Sequence, residues 1–204
     1  MTGHVRDTRD FILNGFVLNR TLQRAAQYEA PDGLDALGLT ISSDDIIDPY
    51  IDKISEDSVV KAVKLGDYYK VIYVVENLLR NLIVSLLDDE SDEYGDLEEP
   101  TWWKKNVPDH VQRYAKDAAK RETDVAVTQR AVNPIEYVTF GHLSDVIVKN
   151  WDVFQLAFTS PKAVARVLGL LNTIRGPIAH CNDLKDDEIA RLFLAVRDFF
   201  RILK

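Results

Sequence analysis

Apolar residues recur at three- and four-residue intervals over most of the chain, and period-two alternation is almost absent, so the pattern predicts an all-α protein. The strongest stretch runs from about residue 57 to residue 87. There Val71, Ile72, Val74, Val75, Leu78, Leu79, Leu82, Ile83, Leu86 and Leu87 cover nearly the whole circumference, the signature of a helix at the centre of a fold. Three amphipathic stretches follow, from Phe140 to Trp151, from Pro161 to Ile174 and from Lys185 to Leu203, separated by short joints. With the central helix they predict a bundle of four or more.

Breaker residues divide the rest. A segment from about Asp7 to Tyr28 carries Phe11, Ile12, Phe16, Leu18 and Leu22 at mostly helical spacing and ends in Glu29-Ala30-Pro31-Asp32-Gly33. Ser42-Ser43-Asp44-Asp45 offers caps for a short helix, with Pro49 near its start. Residues 1–55 therefore read as an N-terminal helical extension and linker, and residues 56–204 as the bundle domain. The central helix stops in Asp88 to Glu99, where like charges repel and favour a solvated loop. Trp102 and Trp103 come next; burial against the bundle is expected, with base stacking as the alternative. Pro108 sits as at a helix start, that helix continues to about Arg121, and a loop ends near Asn133-Pro134.

Composition narrows the class. The 204 residues carry 25 basic and 33 acidic side chains, a formal charge of −8, and their 46% apolar content is enough to fill a core. No run of about 18 uncharged apolar residues occurs and the start is polar, so a soluble, cytoplasmic protein with no membrane partner is expected. A single cysteine, Cys181, allows neither an internal disulfide nor a thiolate metal cage. The phosphate-cradling, dinucleotide, metalloprotease and nucleophile-elbow motifs are all missing. The four histidines, at positions 4, 110, 142 and 180, never lie one helical turn apart, so metal-free and cofactor-free chemistry is expected.

One stretch carries chemistry of its own. In Arg175-Gly176-Pro177-Ile178-Ala179-His180 an amphipathic helix runs into Gly-Pro, which predicts a bend or restart that presents side chains. A guanidinium grips two phosphate oxygens and an imidazole moves protons near neutral pH. RNA supplies its own nucleophile, the 2′-hydroxyl, and its cleavage needs a base, an acid and a cation but no metal. A helix-capping histidine beside a surface arginine is the plain structural reading of the same residues. Cys181 beside His180 points another way on a helix, so a thiol–imidazole pair is not expected.

This stretch resembles the R-x4-6-H signature of the HEPN superfamily. Tyr73 to Ile83 is similar to the first core helix of several such domains, and Trp102-Trp103-Lys104 and Ile135 to Phe140 also look like a HEPN subgroup. The resemblance covers about residues 56 to 204. It implies a mostly antiparallel helical bundle that dimerises so that two motifs face one cleft. It also implies a metal-independent endoribonuclease of a toxin–antitoxin, antiviral defence or RNA-surveillance system. By position, His180 would transfer protons and Arg175 would contact phosphate, and a two-fold axis would bring a second copy of each to the same site. The residue after the motif arginine is often polar, such as Asn, in that superfamily. Here it is Gly176, which removes one hydrogen bond to phosphate or to the partner motif.

Glu76 and Arg80 form an i,i+4 pair on the apolar central helix, either a structural salt bridge or part of the cleft, with Asn77 and Asn81 as weaker polar candidates. Residues 44–99 hold 16 acids against 5 bases, whereas residues 161–204 hold 8 bases against 5 acids. Arg166, Arg175, Lys185 and Arg191 then form a small basic surface for an RNA backbone, while the acidic balance argues against non-specific coating of nucleic acid. The competing expectation is a noncatalytic dimerising RNA- or nucleotide-binding module that docks a protein partner through the N-terminal extension. A third is neutralisation of a basic toxin by the Asp88 to Glu99 loop.

Overall fold

A computed structural model describes residues 48–88, 100–125 and 133–204. The expected N-terminal helix, most of its linker, most of the acidic loop and the residue 126–132 connection lie outside these. The chain forms two compact units, Met1–Gly66 and Asp67–Lys204.

Among the described residues the secondary structure is helical, with one isolated antiparallel bridge, Phe158 to Leu203, and no strand. A 3-10 helix spans Asp48–Lys53, with Pro49 in its first turn. The α-helices are α1 (Glu56–Leu87), α2 (Thr101–Asn106), α3 (Asp109–Asp124), α4 (Phe140–Lys149), α5 (Trp151–Phe154), α6 (Pro161–Ala179) and α7 (Asp186–Ile202). A second 3-10 helix, Pro134–Tyr137, precedes α4. No helix among the described residues is long and apolar enough to cross a membrane.

Every buried apolar side chain described lies between Ile72 and Phe199. On α1 the buried residues are Ile72, Val75, Glu76, Leu79, Leu82, Ile83 and Leu87, a single stripe stepping by one, three and four. The expectation of a helix buried all round is thus corrected. Val71, Val74, Leu78 and Leu86 flank the stripe half-exposed, and residues 56 to 58 and 60 to 64 are exposed.

The α6 stripe, Val164, Val167, Leu168, Leu171, Ile174 and Ile178, follows the same rule, and α6 packs against both α4 and α7. Ser160 caps α6 by accepting the Ala163 N–H at 3.4 Å, and Pro161 fills the first helical position, where no N–H is needed. Phe158 stands 6.5 Å from both Phe154 and Phe199, ring centre to ring centre. Full burial of such a ring contributes about 1.5–3 kcal/mol. The chain end is fastened beside them: the Thr159 N–H donates to the Ile202 carbonyl at 2.9 Å and the Lys204 N–H to the Ala157 carbonyl at 3.0 Å.

Trp102 and Trp103 are buried at 3% and 1% exposure and meet edge to face at 5.7 Å, so neither offers a platform for a base. The carbonyls that α2 leaves open at its end are satisfied from a distance. Lys149 Nζ donates to the Val107 carbonyl at 3.1 Å and Asn150 Nδ2 to the Asn106 carbonyl at 2.9 Å, tying α2 to the end of α4.

The predicted restart at Gly176-Pro177 is absent. Helix α6 continues through both residues to Ala179. Pro177 withholds an N–H that would have reached the Thr173 carbonyl, and with only two residues of helix remaining the break costs little further structure. The stop comes at the next turn. The Asn182 N–H donates to the Pro177 carbonyl at 2.9 Å and the Cys181 N–H to the Ile178 carbonyl at 3.2 Å, with Cys181 left-handed at φ 56°. That is a Schellman cap built with a cysteine where glycine is usual.

Candidate functional site

Residues 76 and 80 lie one turn apart on α1, so their side chains share a face. Glu76 is 5% exposed, and a bare carboxylate there would be expensive. Two guanidiniums compensate it. Arg80 Nη2 donates to Glu76 Oε1, and Arg175 Nε, from α6, donates to Glu76 Oε2 at 3.0 Å. One carboxylate therefore bridges two helices whose partners are 99 residues apart in the chain.

Arg80 is held on further sides. Its Nη2 also donates to the Val138 carbonyl at 2.9 Å, and its Nη1 donates to Asn77 Oδ1 at 3.3 Å and lies 3.7 Å from Glu136 Oε2. Asn77 is fixed in turn by donating to the Tyr73 carbonyl at 2.8 Å. Arg80 Nε is buried with no hydrogen-bond partner. Glu76 and Arg80 form a buried ion pair, which Arg175 joins.

Arg175 differs from Arg80. About a third of its side chain, 34%, is exposed, and only Nε is engaged, so the two Nη groups have no hydrogen-bond partner among the described residues. Gly176 beside it is half-buried, and a Cβ there would meet nothing within 4 Å. His180 is the C-cap residue of α6; it is exposed, and its imidazole has no partner among the described residues. Five residues of helix rotate by about 500°, so His180 leaves α6 roughly 140° around from Arg175 and about 7.5 Å further along. The motif residues do not share one face within a single chain.

Arg166, Lys185 and Arg191 are exposed and take no part in the Glu76 cluster. Arg191 lies 3.6 Å from Asp187, and Asp186, Asp187 and Glu188 crowd the first turn of α7 beside Lys185, so this basic surface is interspersed with acids. Asn81 is exposed. Cys181 is an exposed free thiol.

The participants missed from sequence are Glu136 and the Val138 carbonyl. Both reach Arg80 from more than 50 residues away, a separation with no periodic signal. Among the described residues no group of three or more His, Cys, Asp or Glu side chains is placed to hold a metal ion. No family model, no curated protein and no solved structure matches the chain.

Proposed function

We propose that the chain is a HEPN-type helical bundle acting as a homodimeric, metal-independent endoribonuclease in a cellular defence or toxin module. The observation that carries this reading is the posture of Arg175. Its Nε is anchored on a buried carboxylate, both Nη groups have no partner among the described residues, and about a third of the side chain is exposed, so the fork can take two oxygens of a phosphate. His180 stands exposed at the end of the same helix, with no partner among the described residues.

In the reaction an imidazole takes the proton of an RNA 2′-hydroxyl as the 2′-oxygen bonds to phosphorus. The bond from phosphorus to the 5′-oxygen breaks and the leaving oxygen receives a proton from an acid, leaving a 2′,3′-cyclic phosphate and a 5′-hydroxyl. Arg175 steadies the charge that accumulates on the phosphoryl oxygens. The roughly 140° between Arg175 and His180 on one helix is the reason a second copy is required: the partner supplies the imidazole that the arginine's own chain turns away.

The test incubates the purified chain with RNA in EDTA and examines the ends. Cyclic-phosphate products are expected, with loss of cleavage in His180→Ala and Arg175→Ala at unchanged helical content. Intact RNA with and without EDTA overturns the proposal. One observation favours a second reading, a noncatalytic RNA- or nucleotide-binding module. Glu76 and Glu136 offset the charges of Arg80 and Arg175, so the cluster is neutral in sum and Gly176 adds no donor. On that reading His180→Ala leaves function intact, and disrupting Phe11, Ile12 and Phe16 abolishes partner capture.

A further inference from the structure

A second polar cluster lies outside the Glu76 site. His110, in the first turn of α3, places Nε2 2.9 Å from Asp145 Oδ2 on α4. His142, in the first turn of α4, has its ring 6.4 Å from that of His110 and 4.3 Å from that of Tyr114 on α3. The two histidines are 32 positions apart in sequence, and side-chain contacts between α3 and the first part of α4 make them neighbours.

His142 also does local work. It occupies the third position of a capping box with Thr139, and its Nδ1 accepts the Thr139 N–H at 3.4 Å. Glutamate or glutamine normally fills this place, because the task needs an acceptor. A neutral imidazole provides one, with the proton on Nε2; an imidazolium does not, since both its nitrogens are donors. A positive charge in the first turn of a helix also opposes the helix dipole.

The residue before Thr139 is Val138, whose carbonyl receives Arg80 Nη2 at 2.9 Å. Arg80 in turn holds Glu76, which anchors Arg175. The geometry points to a proton-operated joint: protonation of His142 releases the Thr139 N–H and, through Val138, loosens the grip of Arg80 on Glu76 and Arg175. The path runs through consecutive hydrogen bonds and one peptide unit, a physical connection between a titratable group and a buried one. It does not depend on the RNA reading, since it concerns what sets the posture of the arginines whatever they bind.

The groups that face His142 are defined. Asp145 lies on its own helix, and His110 and Tyr114 face it from α3. From helix α6 the neutral Asn172 approaches the start of α4, 3.6 Å from where a Cβ on Gly141 would stand. Burial lowers the pKa of His142 from the ordinary histidine value; Asp145 opposes the shift and His110 adds to it. The joint is therefore closed at neutral pH and opens as pH falls through that lowered pKa.

The test is hydrogen exchange and side-chain NMR on the full chain between about pH 8 and about pH 5. Protection of the Thr139 amide, corrected for intrinsic exchange, is expected to fall by about fivefold, the factor one capping hydrogen bond carries. The Arg80 and Arg175 Nε–H resonances are expected to shift with the same midpoint as the His142 ring. In His142→Gln the amide oxygen accepts the same N–H without titrating, and both responses vanish. His110→Asn, which removes the neighbouring imidazole, moves the midpoint to higher pH. Unchanged Thr139 protection in the wild-type chain overturns the proposal, as do arginine resonances that stay still while His142 titrates. Neither readout involves RNA, so failure here is separate from failure of the nuclease reading.

Discussion

The Glu76 and His142 clusters solve different problems with similar parts. Around Glu76 the charges are permanent guanidiniums, the carboxylate is buried, and the hydrogen bonds join α1, α6 and the segment before α4. Around His142 the acceptor is an imidazole whose pKa burial lowers, His110 and Asp145 are half or more exposed, and the bonds are local to two helix starts. The first cluster is a fastening of two cations on one buried carboxylate. The second carries a reversible acceptor, and Val138 and Thr139 are adjacent residues that touch one cluster each.

The largest effect that tests this contrast is loss of the central carboxylate. Glu76→Gln removes the buried carboxylate charge that Arg80 and Arg175 share, and a loss of about 3–5 kcal/mol in urea unfolding is expected. A loss below about 1 kcal/mol would place the pair with ordinary surface ion pairs and end the distinction.

Acidification tests the other side. Because the folded pKa of His142 lies below the ordinary 6.5, the unfolded chain takes this proton first. Stability from this group is then complete above about pH 6.5, declines as pH falls through that value, and levels off below the depressed native pKa. Wild-type minus His142→Gln stability across the range isolates it. A difference that stays flat would show that the imidazole is not the acceptor on which the cap relies.

Smaller effects at the end of α6 sharpen the comparison by separating strain from charge. Cys181 occupies a left-handed conformation that glycine adopts freely, so Cys181→Gly is expected to stabilise by about 0.5–1 kcal/mol. The same gain should appear in the Glu76→Gln background if the two effects are independent. A rescue much larger than that would assign the Glu76 loss to unravelling of this helix end. Gly169 is exposed within α6 and a Cβ there meets nothing within 4 Å, so Gly169→Ala is expected to raise stability by about 0.5 kcal/mol, read from the same unfolding curves.

Helices were legible where periodicity was sustained: the limits of α1 and α7 and the start of α6 fall close to the apolar patterns that predict them. Pro108 and Asn133-Pro134 stand at element starts as their chemistry requires, since a missing N–H or a short acceptor side chain is useful only there. The burial of both tryptophans also followed the general economics of indole. Two expectations were revised by packing. The apolar circumference of α1 resolves into one buried stripe with half-exposed flanks, because which apolar residues are covered depends on neighbours the pattern does not contain. Gly176-Pro177 remains helical because a lost hydrogen bond so close to a helix end is tolerated when a strong cap follows.

Sequence by itself determined the helical class, the limits of the helices α1 and α7, the i,i+4 pairing of Glu76 with Arg80 and the proximity along one helix of Arg175 and His180. Each is a local property, set by the rise and turn of a helix and by the hydrogen-bonding capacity of single residues. Only the tertiary structure decided that Arg175 is anchored on Glu76, that Val138 and Glu136 close around Arg80, and that His110 stands beside His142. Those contacts join residues from 32 to 99 positions apart. At such separations the partner is chosen by which stripes pack together, and the burial of a carboxylate then selects the cations that must meet it.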